Sequence, residues 1–202
     1  MFQKLRQTIV RVHNEGVAVS KKINQFITKE AALRLENKRN REQLARDISA
    51  QANKPITMYD SVNVNAIPAN AIAVAGYVGG LYPTFRALLQ RFPHAKHLSI
   101  AINAAEVADC LDVETGDATP GEAPDWVRRE KAHRKPWVYA NASTMPAVIA
   151  ALDRAGLHRN EYYLWVADYN GVAQIPNGYD AKQYEERKAA DIDLSVVRSG
   201  IL

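Results

Sequence analysis

Cysteine is almost absent from this chain of 202 residues, with Cys110 standing alone. No intramolecular disulfide can form, so cysteine usage offers nothing in favour of an oxidised, secreted setting, and no zinc-type cysteine pair exists. Lying just ahead of an acidic stretch, Cys110 reads as a small core residue rather than a nucleophile. Long apolar runs are missing too. The front of the chain has no continuous hydrophobic segment after its first basic residues, which predicts no secretory signal. Ser61 to Phe85 carries no charge over 25 residues, yet Asn63, Asn65, Pro68, Asn70, Gly76, Gly79, Gly80 and Pro83 interrupt it. A membrane span needs about 20 consecutive apolar residues, so two buried strands with their turns are expected instead. Phosphate-loop and Gly-x-Ser-x-Gly patterns are also lacking. His94 and His97 stand three apart, but His133 and His158 add no matching spacing, so neither a metal site nor a cofactor is expected.

What is present is a surface of mixed charge. The net charge is +4 and the sequence pI is about 9.1, with 26 Lys and Arg against 22 Asp and Glu. Residues 1–54 hold 12 of those basic residues and 5 of the acidic ones, leaving 14 and 17 for the remainder. The body is therefore acidic and the first quarter basic. A basic segment of this kind is either a solvated helix face or a docking surface for something anionic. Aromatic and basic residues are not interleaved there, so no nucleic acid is expected as a partner, and no membrane.

In the first quarter, apolar residues recur at Phe2, Leu5, Ile9, Val12, Val19, Ile23, Phe26, Leu33 and Leu44 on the three-and-four spacing of a coiled-coil seam. Gly16, Glu30, Asn37, Asn40 and Asp47 fall in the same register and weaken its second half. Residues 7–20 also fit a β-hairpin, with strands at 8–12 and 17–19 and Gly16 supplying a positive φ, so helix and hairpin both stay open there. From Ser20 as an N-cap to about Ala52, the Lys, Glu, Arg, Ala, Leu and Gln content predicts one long helix. Some 30 helical residues span about 45 Å, more than a small domain needs for its own core. Residues 1–54 are thus expected to be a helical oligomerisation or docking segment, and the protein a homo-oligomer.

After Asn53-Lys54-Pro55 the pattern changes to short apolar strands, expected at 56–61, 71–78, 97–102, 109–113, 136–140, 162–167, 180–184 and 191–197. Helices are expected at 84–91, 124–133 and 146–155. Eight strands in mostly parallel order predict an α/β fold, a short (β/α)8-type TIM barrel over residues 55–202. Such barrels typically take about 250 residues, so outer helices must be reduced. Their chemistry sits at the carboxyl ends of the strands. There the fourth strand ends in Asp112-Val113-Glu114, two carboxylates that a strand would send to one face roughly 6.5–7 Å apart. One can hold a proton while its neighbour stays ionised, which glycoside hydrolysis requires. Tyr77, Tyr82, Trp137, Tyr139, Trp165 and Tyr169 offer flat faces for sugar rings. Asp117 reads as a turn residue able to reach the same pocket.

The strand ends, taken in order, resemble the lysozyme-like glycoside hydrolase family 25 and its shorter relatives in actinobacteria and their phages. The pieces are Tyr59-Asp60-Ser61, Leu111-Asp112-Val113-Glu114, Trp137-Val138-Tyr139, Leu164-Trp165-Val166-Ala167-Asp168-Tyr169, Gln183-Tyr184 and Asp191-Ile192-Asp193-Leu194, covering roughly residues 56–197. The chain departs from that pattern in having Asp60 and Ser61 adjacent, and in ending its second strand in Gly76-Tyr77-Val78-Gly79-Gly80. The resemblance implies Glu114 as proton donor, Asp112 as its partner, and Asp60 and Asp193 as further acids of the site, with Gln183 on the substrate side. It implies bacterial cell-wall glycan as the partner, cut at the muramic acid linkage. Beside that enzyme stands a second expectation: a phage virion component, with other virion proteins as partners, whose barrel binds without cleaving. The expected location is a phage virion or the host cytoplasm.

Overall fold

The structure, a computed structural model, describes residues 2–52 and 54–202, without the side chains of residues 2–5, 7–9, 12, 14, 23 and 52. Two compact units result, Met1–Gln51 and Ala52–Leu202.

The first unit is a single helix, α1 (Phe2–Ala52), of 51 residues. It runs without a break through residues 7–20 and through Ser20, so no hairpin forms and Ser20 caps nothing. A lone two-stranded hairpin is marginal in water, whereas a helix satisfies its backbone locally, and Gly16 costs only about 1 kcal/mol against alanine. Exposed i,i+4 pairs, Arg11 with Glu15, Arg34 with Glu30 and Lys38 with Glu42, support it by a few tenths of a kcal/mol each. At 1.5 Å per residue it extends about 76 Å. Of the seam residues, Val19, Phe26, Leu33 and Leu44 are exposed; the side chains of Phe2, Leu5, Ile9, Val12 and Ile23 lie outside the described residues.

The second unit is a closed barrel of β1 (Pro55–Asp60), β2 (Ala73–Tyr77), β3 (Lys96–Ala101), β4 (Cys110–Asp112), β5 (Trp137–Asn141), β6 (Tyr163–Ala167), β7 (Ala181–Arg187) and β8 (Ile192–Arg198), paired in chain order. Neighbours from β1 to β7 are parallel. β8 is antiparallel to both β7 and β1. This corrects the expected fold: the unit is a mixed β-barrel, not a helix-surrounded (β/α)8 barrel. Among the described residues three α-helices lie along it, α2 (Phe85–Arg91), α3 (Ala123–Glu130) and α4 (Met145–Arg154), following β2, β4 and β5. The reason is connection length. A parallel pair ordinarily needs a crossover of a dozen or more residues; the shortest parallel connection in this barrel, from β3 to β4, has eight, and only four separate β7 from β8. The chain can then only turn back.

The barrel fills as period-two alternation demands. Met58, Ala75, Leu98, Ile100, Cys110, Trp137, Tyr139, Trp165, Ala181 and Val197 form the interior. Leu111, Val113, Val138, Ala140, Leu164 and Val166 face outward, onto Trp126, Val127, Met145, Val148 and Leu152 of α3 and α4. Val74 does the same toward Leu88 of α2. Each fully buried aliphatic or aromatic side chain contributes about 1.5–3 kcal/mol. Gly156, at φ 73°, ends α4: its N–H reaches Asp153 O at 2.9 Å and Leu157 N–H reaches Leu152 O at 3.1 Å. That is a Schellman closure, which only a left-handed residue permits. It returns the chain to β6 in the right direction.

Candidate functional site

The carboxyl ends of the parallel strands make a mouth, and the start of β8 joins them because that strand runs backwards. Asp60, the last residue of β1, is the ladder partner of Asp193 near the start of β8. Directly opposed antiparallel residues have Cβ atoms about 4.5–5.5 Å apart. Asp112 ends β4 opposite Tyr139 of β5. Both Asp60 and Asp112 continue the inward set of their strands, two residues beyond Met58 and Cys110, so they cap the apolar interior. Glu114 differs from expectation: β4 ends at Asp112, and Glu114 begins a turn in which Asp117 N–H bonds its carbonyl at 3.1 Å. Gly116, at φ 101°, allows that turn.

Carboxyls so placed resist ionisation. Burial, and then the Asp193 charge, raises Asp60 well above the usual carboxylate range. Burial pushes Asp112 up to about 8, with Glu114, Asp117 and Asp60 adding to it and a hydrogen bond donated by the Tyr77 phenol opposing it. Asp193 rises to about 6, through burial and Glu186, against a hydrogen bond from Gln183. Glu114, half-buried, is raised by burial and by Asp117 while side-chain and main-chain hydrogen bonds from Asn141 pull it down. Asp117 is raised by burial. No cation figures among these influences. Asp60 Oδ2, Asp112 Oδ1 and Asp193 Oδ1 are buried with no hydrogen-bond partner. A buried lone oxygen of this kind is tolerable chiefly when its carboxyl is protonated.

Two hollows adjoin the acids, sharing Val62 and Tyr77 as a ridge. One, of about 240 Å³, is lined by Asp60, Asp191, Asp193, Arg187 and Lys188 among others. The other, of about 230 Å³, lies over Gly79, Gly80, Tyr82, Ile102 and Asp117. Gly80, at φ 77°, and Gly79, where an added Cβ would sit 1.9 Å from Glu106 Oε1, let its floor lie close. Ser61 Oγ donates to the Asp191 carbonyl, tying the end of β1 to the β7–β8 turn.

The structure brings Asp60, Asp112, Glu114, Asp193, Tyr77 and Gln183 together at this mouth. Tyr139 lies at its base, its phenol pushed up by burial and then by the Glu114 charge, with Tyr169 on the loop after β6 also acting on it. Tyr82 and Tyr169 are exposed rim residues. Trp137 and Trp165 belong elsewhere. They are 3% and 1% exposed, inside the barrel, with Trp165 donating to Ser195 Oγ at 3.0 Å and its ring 4.7 Å from Tyr139. They pack the barrel and present no face at the mouth. Asn141, Glu186, Arg187, Lys188 and Asp191 are mouth residues that the sequence did not single out. Asn141 carries no charge to flag it. The other four became visible only once β7 and β8 were known to form a tight hairpin. Asp117, read as a turn residue, does both things: it closes the turn and lines the second hollow.

Among the described residues no group of three or more His, Cys, Asp or Glu is arranged to hold a metal ion, and no helix is long and apolar enough to cross a membrane. Fold and site together define a closed mixed β-barrel with a partly protonated acidic mouth. No family profile, curated protein or solved structure matches the chain. The resemblance to glycoside hydrolase family 25 rests on the strand-end residues alone.

Proposed function

We propose that the barrel is a glycan hydrolase of muramidase type, acting on bacterial cell-wall glycan with Glu114 as general acid and Asp112 as its partner. The observation that carries this reading is the convergence of four carboxyls, from three distant stretches of the chain, on one mouth where burial and mutual repulsion raise all four above the usual carboxylate range. Interacting carboxyls titrate as a set, so the mouth offers a proton and a negative charge together. Reach supports Glu114 as the donor: it is half-buried, whereas Asp112 is 2% exposed beneath it. Glu114 gives its proton to the leaving oxygen as the glycosidic bond breaks, the Asp193 carboxylate across the mouth meets the positive charge on the ring, and water adds to the sugar carbon while returning a proton to Glu114. The two hollows on either side of Tyr77 fit sugars flanking the cut, with Tyr82 and Tyr169 at the rim.

The test is release of reducing ends from purified bacterial peptidoglycan by the intact protein beside Glu114→Gln, which keeps shape and removes the acid. Loss of general-acid catalysis lowers the rate about 10²–10⁴-fold. An intact, folded parent that releases nothing refutes the hydrolase reading. If that parent still sediments with the glycan, the second reading takes over, a virion component that binds without cleaving. What favours this second reading is α1. Its exposed Val19, Phe26, Leu33 and Leu44 suit a self-associating stalk, and we read the protein as a homo-oligomer through residues 1–54, open to measurement by light scattering.

A further inference from the structure

We propose that Lys182 is the positioning residue of Tyr169, its buried ammonium group holding the turn that carries this ring over the acidic mouth. The inference rests on the reading of Tyr169 as a face for sugar. Lys182 lies in β7 between Ala181, which packs in the barrel interior, and Gln183, so its side chain leaves by the outer face. Its ladder partners are Val166 and Val196, between which an apolar residue would pack. Lysine stands there instead and is 2% exposed. A buried ammonium is costly unless it is paired and hydrogen-bonded. Lys182 finds both partners on one short stretch of loop: Nζ donates to Asn170 Oδ1 at 2.6 Å and pairs with Asp168 Oδ2 at 3.1 Å.

Asp168, Tyr169 and Asn170 form a γ-turn, the N–H of Asn170 reaching the Asp168 carbonyl at 2.8 Å, with Tyr169 at its apex. The two flanking side chains are joined, Asn170 Nδ2 donating to Asp168 Oδ2 at 2.8 Å, and Asn170 Oδ1 takes the Val172 N–H at 3.0 Å as well as the lysine. The main chain is tied on both sides of the apex: Asp168 N–H reaches the Gln183 carbonyl and Gly171 N–H the Tyr184 carbonyl, each at 2.9 Å. The ammonium thus grips both feet of the turn and leaves its apex to project. Asp168 follows Ala167, which faces the interior, and points out to Lys182; the next side chain, that of Tyr169, is returned to the side of the mouth. It is 52% exposed, and its phenol, pushed up by burial, also feels the Asp193, Glu114 and Asp60 charges. A loop fixed in advance spares the ordering cost that binding would otherwise carry.

Lys182→Met separates this role from support of the barrel. Methionine has the length to pack between Val166 and Val196, and replacing a buried charge by apolar atoms of similar volume is often neutral to stability, while the Asp168 carboxylate, 43% exposed, is left to water. The urea midpoint followed by tryptophan fluorescence should therefore stay in place. Amide hydrogen exchange in the full chain, followed by NMR, should show the Asp168, Asn170, Gly171 and Val172 N–H groups exchanging about tenfold faster or more. Sedimentation with purified peptidoglycan, run on a Glu114→Gln background so that the glycan stays whole, should give an apparent Kd weakened roughly tenfold. Tyr169→Ala should weaken it equally, and the two changes together no further than Tyr169→Ala alone, because the lysine acts through the ring. Asn170→Ala, at an exposed position, carries the same measurements if the methionine variant does not fold. Unchanged exchange at these amides overturns the proposal; so does an affinity that falls with Tyr169→Ala and not with Lys182→Met, or losses that add in the double variant. Faster exchange in a protein whose parent does not sediment with peptidoglycan upholds the hold on Tyr169 and refutes the glycan reading alone.

Discussion

Replacing Asp112 by asparagine should flatten part of the pH dependence of the barrel's stability, with a sign opposite to that of an ordinary salt-bridged aspartate. In the folded chain burial holds Asp112 up near 8; in the unfolded chain it titrates near 3.9. Below pH 3.9 both states are protonated and the group is neutral in its effect. As pH rises, the unfolded chain releases the proton first, so the parent loses stability continuously until the folded value is passed. Asparagine has no proton to release. Its fixed cost, an NH₂ placed where Oδ1 now lacks a partner, is the same at every pH and cancels in the comparison. Each unit of pH between the two values is worth about 1.4 kcal/mol, so the variant gains roughly 3 kcal/mol on the parent between pH 5 and pH 7. With a urea slope of about 1.5–2 kcal/mol/M, the gap between midpoints widens by roughly 1.5–2 M. All three tryptophans, Trp126, Trp137 and Trp165, lie buried in the 52–202 unit. Their fluorescence therefore follows the barrel without α1. A gap of constant size from pH 5 to pH 7 would refute the claim that folded Asp112 keeps its proton, and with it the physical basis of the acid pair.

Two further outcomes are expected. Light scattering on the intact chain should give a multiple of 22.5 kDa, returning to one chain's mass in the double variant Phe26→Glu, Leu33→Glu; a parent already of single-chain mass removes the case for a self-associating seam. Glu130→Ala should destabilise the barrel by roughly 2 kcal/mol, below the usual 3–5 for breaking a buried pair because both guanidinium groups can turn to water. Glu130 is 1% exposed, with Arg129 Nε at 2.9 Å and Arg134 Nε at 3.8 Å; a loss under about 0.5 kcal/mol in urea denaturation would show that the carboxylate contributes nothing net.

Strand and helix positions were legible because each is a local matter. Apolar runs bounded by Pro, Gly and Asn mark β1 through β6 to within a residue or two, and Pro146 with Gly156 brackets α4. Pairing direction was not local. The seventh strand was expected to stop at Tyr184, leaving six residues before the eighth; in fact Glu185, Glu186 and Arg187 extend it past an irregularity at Gln183/Glu185, and charged residues in a mouth strand carry no apolar signal. The acids of the site were legible because strand-end carboxylates are rare enough to notice. Which aromatic faces the sugar was not. Strands buried on both faces lack a polar side, so nothing in their pattern separates Trp165, inside the barrel, from a residue at the mouth.

The reversed eighth strand settles where the polypeptide leaves. Had β8 run parallel to β7, its last residue would have emerged among the acids, and a further helix would have been needed to clear it away. Instead Arg198 ends opposite Pro55, and Ser199 N–H bonds the Lys54 carbonyl at 3.0 Å. Entrance and exit are stitched together at the floor of the barrel. Seven residues of strand do the job of a return helix, and beyond the strand ends themselves the opening is bordered by turns, which can change without disturbing how the ring closes.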